Sequence, residues 1–499
     1  MAQDNEDRPQ EKPYCYPDHP RPVSRRQFLA QGFLTGAAMV VSPSLFGALK
    51  GGNYAAAQEC GISAGAGLIP FMCFDLAGGA SIAGSNVMVS GQGGALLSDD
   101  GYMKLGLPQA MTPRQPGQVD TQLGLPFHVD SAFLRGILAR TSQATRDNID
   151  GYVVAARSDN DTGNNPHNPL YGIAKAGSDG ALVTLIGTDS SESGGNSLAP
   201  MSMIDPAVRP VKVARPSDAT GLVDTGRLVS VLGANSGDVM TAVEKLSEEK
   251  LGKITEDAIL EELIRCNYVT GSYLVENFGN PALLDPRQDP NITGAGGVFP
   301  EGLVRSEFDK TASVMKMVVN GFAGGGCCEF NGYDYHNGTR ATGEQKDLVV
   351  GECIGAAFEY ARLQNKELVI YVFSDGSVFS DGELEGGGGR GKGVWRGDRS
   401  TTAAVFMLAY TPELGGASVR TGQQQIGYFR SSGDIETGAT RVANNVNLLV
   451  ESVVLNYLAL HDDLGRFDAV LPGHGLGNAT ERDQLVAFNP LTRVPLVTP

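Results

Sequence analysis

Carboxylate and imidazole side chains follow three segments that have the composition of buried strands. Asp75 ends the apolar segment LIPFMCFDL, Asp334 and His336 occur in YDYH after another such segment, and Asp375 ends VIYVFSD. In open α/β folds, ligands bind outside the carboxyl ends of the strands, so we expect Asp375 to face Asp334 and His336. Converging carboxylates and imidazoles can hold one or two divalent cations such as zinc, manganese or calcium.

Two further residues extend this candidate site. Asp398, in a Gly-Asp pair before the next predicted strand, is the fifth candidate metal ligand, and Ser81 lies in a glycine-rich turn where a metal could activate its hydroxyl as a nucleophile. Paired metals about 4 Å apart would suit hydrolysis of a phosphate or sulfate ester. Each residue also has a structural explanation, because such side chains are common in turns. Asp381 and Glu383 are interpreted as acids of a loop and not as ligands.

A second polar cluster occupies residues 158–169, SDNDTGNNPHNP, and contains Asp159, Asp161, Asn164 and His167. Its composition is similar to that of a calcium-binding loop, but the glycine and the terminal acid are misplaced for an EF-hand. Turn chemistry is the simpler interpretation, because turns select Asn, Asp and Gly.

Strands that alternate with long helices must position these side chains. Apolar runs and helical periodicity predict the following elements: strands at 68–76, 151–158, 181–188, 325–331, 369–374 and 401–410; helices at 130–141, 236–278, 306–320 and 441–460; and a helix opened by a capping box of Thr342 and Gln345. No repeat or linker divides the chain. The pattern predicts an α/β fold, a three-layer α/β/α sandwich with a mostly parallel sheet, as one domain over 58–499 with loop insertions.

The first 57 residues have the form of a twin-arginine export signal. Two adjacent arginines follow Ser24 and precede a moderately apolar run, and small residues offer a cleavage site after Ala57. The run is broken by Pro43 and is too short for a stable membrane span. We therefore expect residues 1–57 to be a signal for the twin-arginine translocase, and the mature protein to be periplasmic or extracellular.

Charge and cysteine content limit the possible partners and cofactors. The formal net charge is −17, which argues against nucleic acid or an anionic membrane as the main partner. No two cysteines have the Cys-x-x-Cys spacing, which weakens the case for a thiolate zinc site. Cys73, Cys327, Cys328 and Cys353 lie in apolar segments, so we expect them to behave as small buried hydrophobic residues.

The order of these features resembles an exported bacterial family known as domain-of-unknown-function family 1501, a relative of the alkaline phosphatase and sulfatase superfamily. The resemblance spans roughly residues 66–465. It rests on the export signal, a Gly-Gly loop after the first strand, the GYDYHN motif, the strand into FSD and the Gly-Asp pair. It implies an alkaline phosphatase-like fold, Asp and His metal ligands at the sheet edge, and a Ser, Thr or modified Cys nucleophile.

Position by position, the resemblance is partial. Residues 333–336 keep the aspartate and histidine of the family motif, Asp375 stands near its Ser-Glu-Phe-Gly-Arg run, and Asp398 keeps its Gly-Asp pair. The family's acid after Gly-Gly falls on Ser81, and Arg399 stands where the family has histidine. These departures imply a one-metal or reduced site in place of a two-metal site.

Two functions remain open at this point. The first is a metal-dependent hydrolase of small phosphate or sulfate esters, with metal held by Asp75, Asp334, His336, Asp375 and Asp398. The second is a non-catalytic binding or assembly protein on the same fold, which keeps the sheet edge for an unknown ligand or a structural cation. The surviving Asp-x-His pair favours the enzyme, whereas the missing family ligands favour the binding protein.

Overall fold

A mixed sheet of eight strands forms the centre of the computed structural model, which describes residues 68–158, 165–223, 280–413 and 415–491. These residues fall within one compact unit. The signal predicted at 1–57 and the helices predicted at 236–278 lie outside the described residues. In the described ranges, no helix combines the length and the apolar character needed to cross a membrane.

The strands of the sheet are β1 (Phe71–Gly78), β4 (Ile149–Val154), β5 (Val183–Gly187), β6 (Val211–Lys212), β7 (Ala323–Tyr333), β8 (Leu368–Ser374), β11 (Val405–Tyr410) and β12 (Gln425–Ile426). Their order is β12-β4-β11-β8-β1-β7-β5-β6. β11 runs antiparallel to β4 and β8, and the other neighbouring pairs are parallel. Two hairpins lie outside this sheet, one of β2 (Val119–Asp120) and β3 (Phe127–His128), the other of β9 (Val378–Glu385) and β10 (Lys392–Asp398).

β1 lies near the middle of the sheet, between β7 and β8, and all its residues are buried. Met72 and Phe74 pack into the core on one face of the sheet, while Phe71 and Cys73 pack into the core on the other. A strand buried on both faces reads as a continuous apolar run, as β1 and β8 do. Asp75 therefore lies within a strand that is buried on both faces, and Asp375 directly follows another.

Helices cover both faces of the sheet. The described helices are α1 (Asp99–Lys104), α2 (Ala132–Arg140), α3 (Gln143–Arg146), α4 (Leu170–Lys175), α5 (Pro216–Gly221), α6 (Pro290–Thr293), α7 (Ser306–Val319), α8 (Arg340–Leu363), α9 (Val446–Leu460), α10 (Phe467–Val470) and α11 (Ala479–Asp483). α2, α7 and α8 pack on the face of Met72, and α4 and α9 pack on the face of Cys73. The predicted α/β class with a mostly parallel sheet is confirmed.

Two local predictions are wrong. Asp381 and Glu383 lie on β9 and not in a loop, and both contact Arg396 of the paired strand β10, with Asp381 Oδ2 at 3.0 Å from its Nε. Thr342 does not cap a helix, because α8 begins two residues earlier, at Arg340. The glycine run at 386–389 lies in the turn of this hairpin.

The four cysteines of the described residues are free and buried, as predicted. Cys73 and Cys327 lie opposite each other on neighbouring strands. Burial raises the pKa of the Cys328 thiol well above its ordinary value, so this thiol stays neutral.

Candidate metal site

Asp334, His336 and Asp398 form a cluster in which each residue offers one ligand atom and these atoms all lie within 4.8 Å of one another. His336 Nδ1 is 3.1 Å from Asp398 Oδ1 and also contacts Asp334 Oδ1. The two aspartates are exposed and the histidine is half-buried. An ion could therefore enter this cluster directly from solvent. The structure brings together three of the five predicted ligands.

The turn between β7 and α8 presents two of these side chains by anchoring the residue between them. Tyr335 is buried, and its hydroxyl donates to Asp347 Oδ1 at 3.0 Å and accepts a hydrogen bond from Ser81 N at 2.7 Å. Because Tyr335 is held in the interior, Asp334 and His336 on either side of it reach the surface. Asp398 arrives from a different part of the chain, as the last residue of β10.

The donor set and spacing fit a divalent cation. Two carboxylates with one imidazole suit zinc or manganese, and carboxylates also suit calcium. Zinc ligands lie about 2.0–2.2 Å from the ion, so two of them are at most about 4.4 Å apart, while calcium ligands reach about 5 Å. The observed limit of 4.8 Å accommodates calcium directly, and zinc after a small side-chain rotation.

Asp75 and Asp375 do not belong to this cluster and form a buried pair of their own. The Asp75 carboxylate accepts hydrogen bonds from Ser197 N at 2.7 Å and from Ser197 Oγ at 3.2 Å. The Asp375 carboxylate accepts hydrogen bonds from Gly78 N at 2.8 Å and from Asn196 Nδ2 at 3.1 Å. Adjacent residues of one loop therefore hold two carboxylates, one within β1 and the other directly after the neighbouring strand β8.

Gly78 lies between the buried pair and the exposed cluster. Its amide binds Asp375, and its Cα is so close to the next strand that an added Cβ would lie 2.3 Å from Asp334 N. Its φ of +128° is also one that residues with a side chain rarely adopt. Glycine is thus required at this position, which explains the first member of the Gly-Gly motif.

The buried pair shares a strong electrostatic constraint. The pKa of Asp75 is raised to about 8, mainly by burial and also by the neighbouring charges of Asp375 and Glu329, while hydrogen bonds from Ser197 oppose the shift. Asp75 is therefore protonated at neutral pH. Its predicted role as a metal ligand stays a prediction, and a cation bound by Asp75 would have to displace this proton.

Ser81 is buried in a network behind Tyr335. Its carbonyl accepts a hydrogen bond from Asn86 Nδ2 at 2.7 Å, and its hydroxyl lies 3.3 Å from Ser85 Oγ. A serine nucleophile needs an adjacent base or a metal to activate it. In the described part of the chain, no imidazole or carboxylate forms a hydrogen bond with this hydroxyl, and the nucleophilic role of Ser81 stays a prediction.

The polar segment at 158–169 meets the buried pair, which the sequence did not indicate. Asn165 Nδ2 donates to the carbonyl oxygen of Asp375 at 2.6 Å, and the ring of His167 stacks on Phe373 with 6.0 Å between centroids. Burial lowers the pKa of His167 to about 3, so the imidazole is neutral. Asp159, Asp161 and Asn164 lie outside the described residues.

Asn196 and Ser197 were missed by sequence reasoning. The feature of the sequence that could have indicated them is the pair Gly194-Gly195, which comes shortly after a strand. Glycine is needed there because a Cβ at Gly195 would lie 2.7 Å from Asp75 Oδ2. A glycine pair after a buried strand can therefore indicate a close approach to an acidic residue, although the sequence does not say which one.

The exposed cluster could bind a cation and hold it where an anionic or polar ligand can reach it. The buried pair instead joins strand ends to the loops above them. No protein-family model matches this chain, and a search of curated proteins finds none that is similar to it.

Proposed function

We propose that this protein binds one divalent cation (zinc, manganese or calcium) at Asp334, His336 and Asp398, and uses it to hydrolyse a phosphate or sulfate ester. The observation that carries the proposal is the convergence of three ligand atoms within 4.8 Å beside the sheet. A bound cation would polarise an ester oxygen and stabilise the negative charge that develops there. The imidazole and the two carboxylates would hold the cation, and their exposure leaves room for a small ester.

The substrate class and the compartment rest on the sequence. The resemblance to exported family 1501 supports an alkaline phosphatase-like fold and ester chemistry, and the arginine pair after Ser24 supports export by the twin-arginine translocase to the periplasm or beyond. The sheet, mostly parallel and covered by helices on both faces, is compatible with that fold.

A second candidate function is a non-catalytic binding or assembly protein that uses the cation structurally. The surroundings of Ser81 favour this non-catalytic function, because the Ser81 hydroxyl forms a hydrogen bond with Ser85 and not with a base. The hydrogen bonds to both oxygens of Asp75 and of Asp375 also favour it, because these carboxylates then hold loops together.

Removing one ligand tests the cation site. We expect the wild-type protein to bind about one Mn²⁺ per chain, and His336→Ala or Asp398→Asn to weaken this affinity at least tenfold, since even partners of ligands contribute 10–100-fold. Free Mn²⁺ is measured by electron paramagnetic resonance, with zinc and calcium as competitors. Asp381→Asn is the matched control, because it removes the same charge from the neighbouring strand. Equal affinity in all four proteins would refute the site.

The same proteins separate the two functions. An aryl phosphate and an aryl sulfate are incubated with the metal-loaded wild type and with His336→Ala. Hydrolysis that depends on His336 supports the enzyme. Tight cation binding without hydrolysis of either ester supports the binding protein.

A further inference from the structure

The candidate cation site is assembled from two segments that no strand pairing joins. Asp334 and His336 lie in the turn after β7, whereas Asp398 ends β10, whose hairpin is separate from the main sheet. The three ligand atoms meet only if the hairpin is held against the turn. The contacts between hairpin and turn therefore determine the geometry of the site.

Trp395 and Arg340 make one of these contacts, and both of their side chains take part in it. The Arg340 guanidinium lies 4.3 Å from the centre of the Trp395 ring, and Arg340 Nη1 donates to the Gly393 carbonyl at 3.3 Å. Gly338, two residues before Arg340, donates its backbone N–H to the Trp395 carbonyl at 2.8 Å. Trp395 precedes Asp398 by three residues on the same strand. The contact thus lies close to the ligand that comes from the hairpin.

Both residues are fixed by their surroundings. Arg340 is the first residue of α8 and is 2% exposed, and Trp395 is 1% exposed. Glu344, one turn further along α8, accepts a hydrogen bond from Arg340 Nη2 at 2.9 Å and from Lys392 Nζ at 2.8 Å. A Cβ added to Gly106 would lie 2.5 Å from Arg340 Nη1 and 2.6 Å from the Trp395 ring, so little space remains for either side chain to move.

We propose that Arg340 and Trp395 are positioning residues of the cation site, which hold Asp398 at His336 without contacting the ion. This inference rests on the proposed function. A stacked guanidinium between turn and hairpin keeps the ligands near their bound arrangement before the ion arrives, so binding loses less conformational entropy. Neither lysine nor a smaller ring can reproduce the planar stacking of arginine on tryptophan.

The test is a double-mutant cycle on Mn²⁺ affinity, read by electron paramagnetic resonance. Arg340→Lys keeps the charge beside Glu344 but loses the stacking, and we expect it to raise the Kd for Mn²⁺ about tenfold in the otherwise wild-type protein. In the Asp398→Asn background the same change should have no further effect, because the residue that Arg340 positions no longer acts as a ligand. Trp395→Phe changes the same contact on the side of the hairpin, and it is used if Arg340→Lys does not fold. Arg430→Lys, in an exposed pair with Glu436, is the control.

The outcomes distinguish this inference from the proposed function. An unchanged Kd in Arg340→Lys and Trp395→Phe would overturn the inference alone. So would effects that add fully to that of Asp398→Asn, because the pair would then act through general stability. If Asp398→Asn itself leaves the Kd unchanged, the cation site fails and the inference falls with it.

Discussion

Replacing Glu344 by glutamine is expected to lower the free energy of unfolding by about 3–5 kcal/mol, the cost of breaking a buried ion pair by removing one partner. The Glu344 carboxylate is buried and pairs with Arg340, Lys392 and Arg135, each at 2.8–2.9 Å. The Lys392 side chain is completely buried. Without the carboxylate its ammonium keeps Asp130 as its acidic partner, at the longer distance of 3.5 Å.

Chemical denaturation with guanidinium chloride measures this change. Glu481→Gln is the matched control, because Glu481 also pairs with an arginine, Arg441, but on the exposed surface. Exposed pairs contribute at most about 1 kcal/mol. The double substitution Glu344→Gln/Lys392→Met should recover part of the loss, since it removes the unpaired charge. If Glu344→Gln costs no more than the control, the buried cluster does not stabilise the fold as described.

The second large effect is on pH dependence: the buried carboxyl groups of Asp75 and Asp347 should contribute less to the stability of the metal-free protein as the pH rises from about 4 to about 8. Buried histidines such as His167, whose pKa is lowered to about 3, act in the opposite direction below about pH 6.5, so the carboxyl contribution must be measured by difference. Burial raises the pKa of Asp75 to about 8 and that of Asp347 to about 7, above the unfolded value of about 3.9. Between these values the unfolded chain is ionised while the folded protein keeps its protons, so the stability present at acid pH is lost on raising the pH. For Asp75 this amounts to on the order of 5 kcal/mol.

Asp75→Asn isolates this contribution. An amide resembles the protonated carboxyl, and its oxygen can still accept the hydrogen bond from Ser197 N. In EDTA, we expect the variant to have the higher melting temperature, with an advantage over the wild type that is larger at pH 8 than at pH 5. Asp381→Asn, which changes an exposed acid, should leave the pH profile as it is. An advantage of the variant that is no larger at pH 8 than at pH 5 would contradict the assignment.

The fold class could be predicted because its signals are local. The apolar runs of β1 and β8 and the helical periodicity of α9 each report on a short window of sequence, and a strand buried on both faces has no polar alternation to obscure it. The same holds for the acids at the strand ends, whose place at the sheet edge follows from chain direction alone. Which of them converge depends on contacts that no short window contains.

The division of the predicted ligands into two groups illustrates this limit. Gly78 lies between Asp375 and the turn that carries Asp334, and only the three-dimensional register places it there. Asn196 and Ser197 reach the buried pair from a loop far away in sequence. The hairpin of β9 and β10 was missed because glycines and charged residues interrupt both strands, so its sequence resembles that of a loop.

The central position of β1 has a consequence for how the chain folds during synthesis. Its two neighbours, β7 and β8, begin at Ala323 and Leu368, so about 250 residues must be made after β1 before either can pair with it. At synthesis rates of about 5–20 residues per second, this interval lasts about 12–50 s. Throughout it, β1 is an apolar strand with both edges unpaired, which is the kind of segment that aggregates. We therefore expect the nascent chain to need protection by a chaperone until β7 and β8 have left the ribosome.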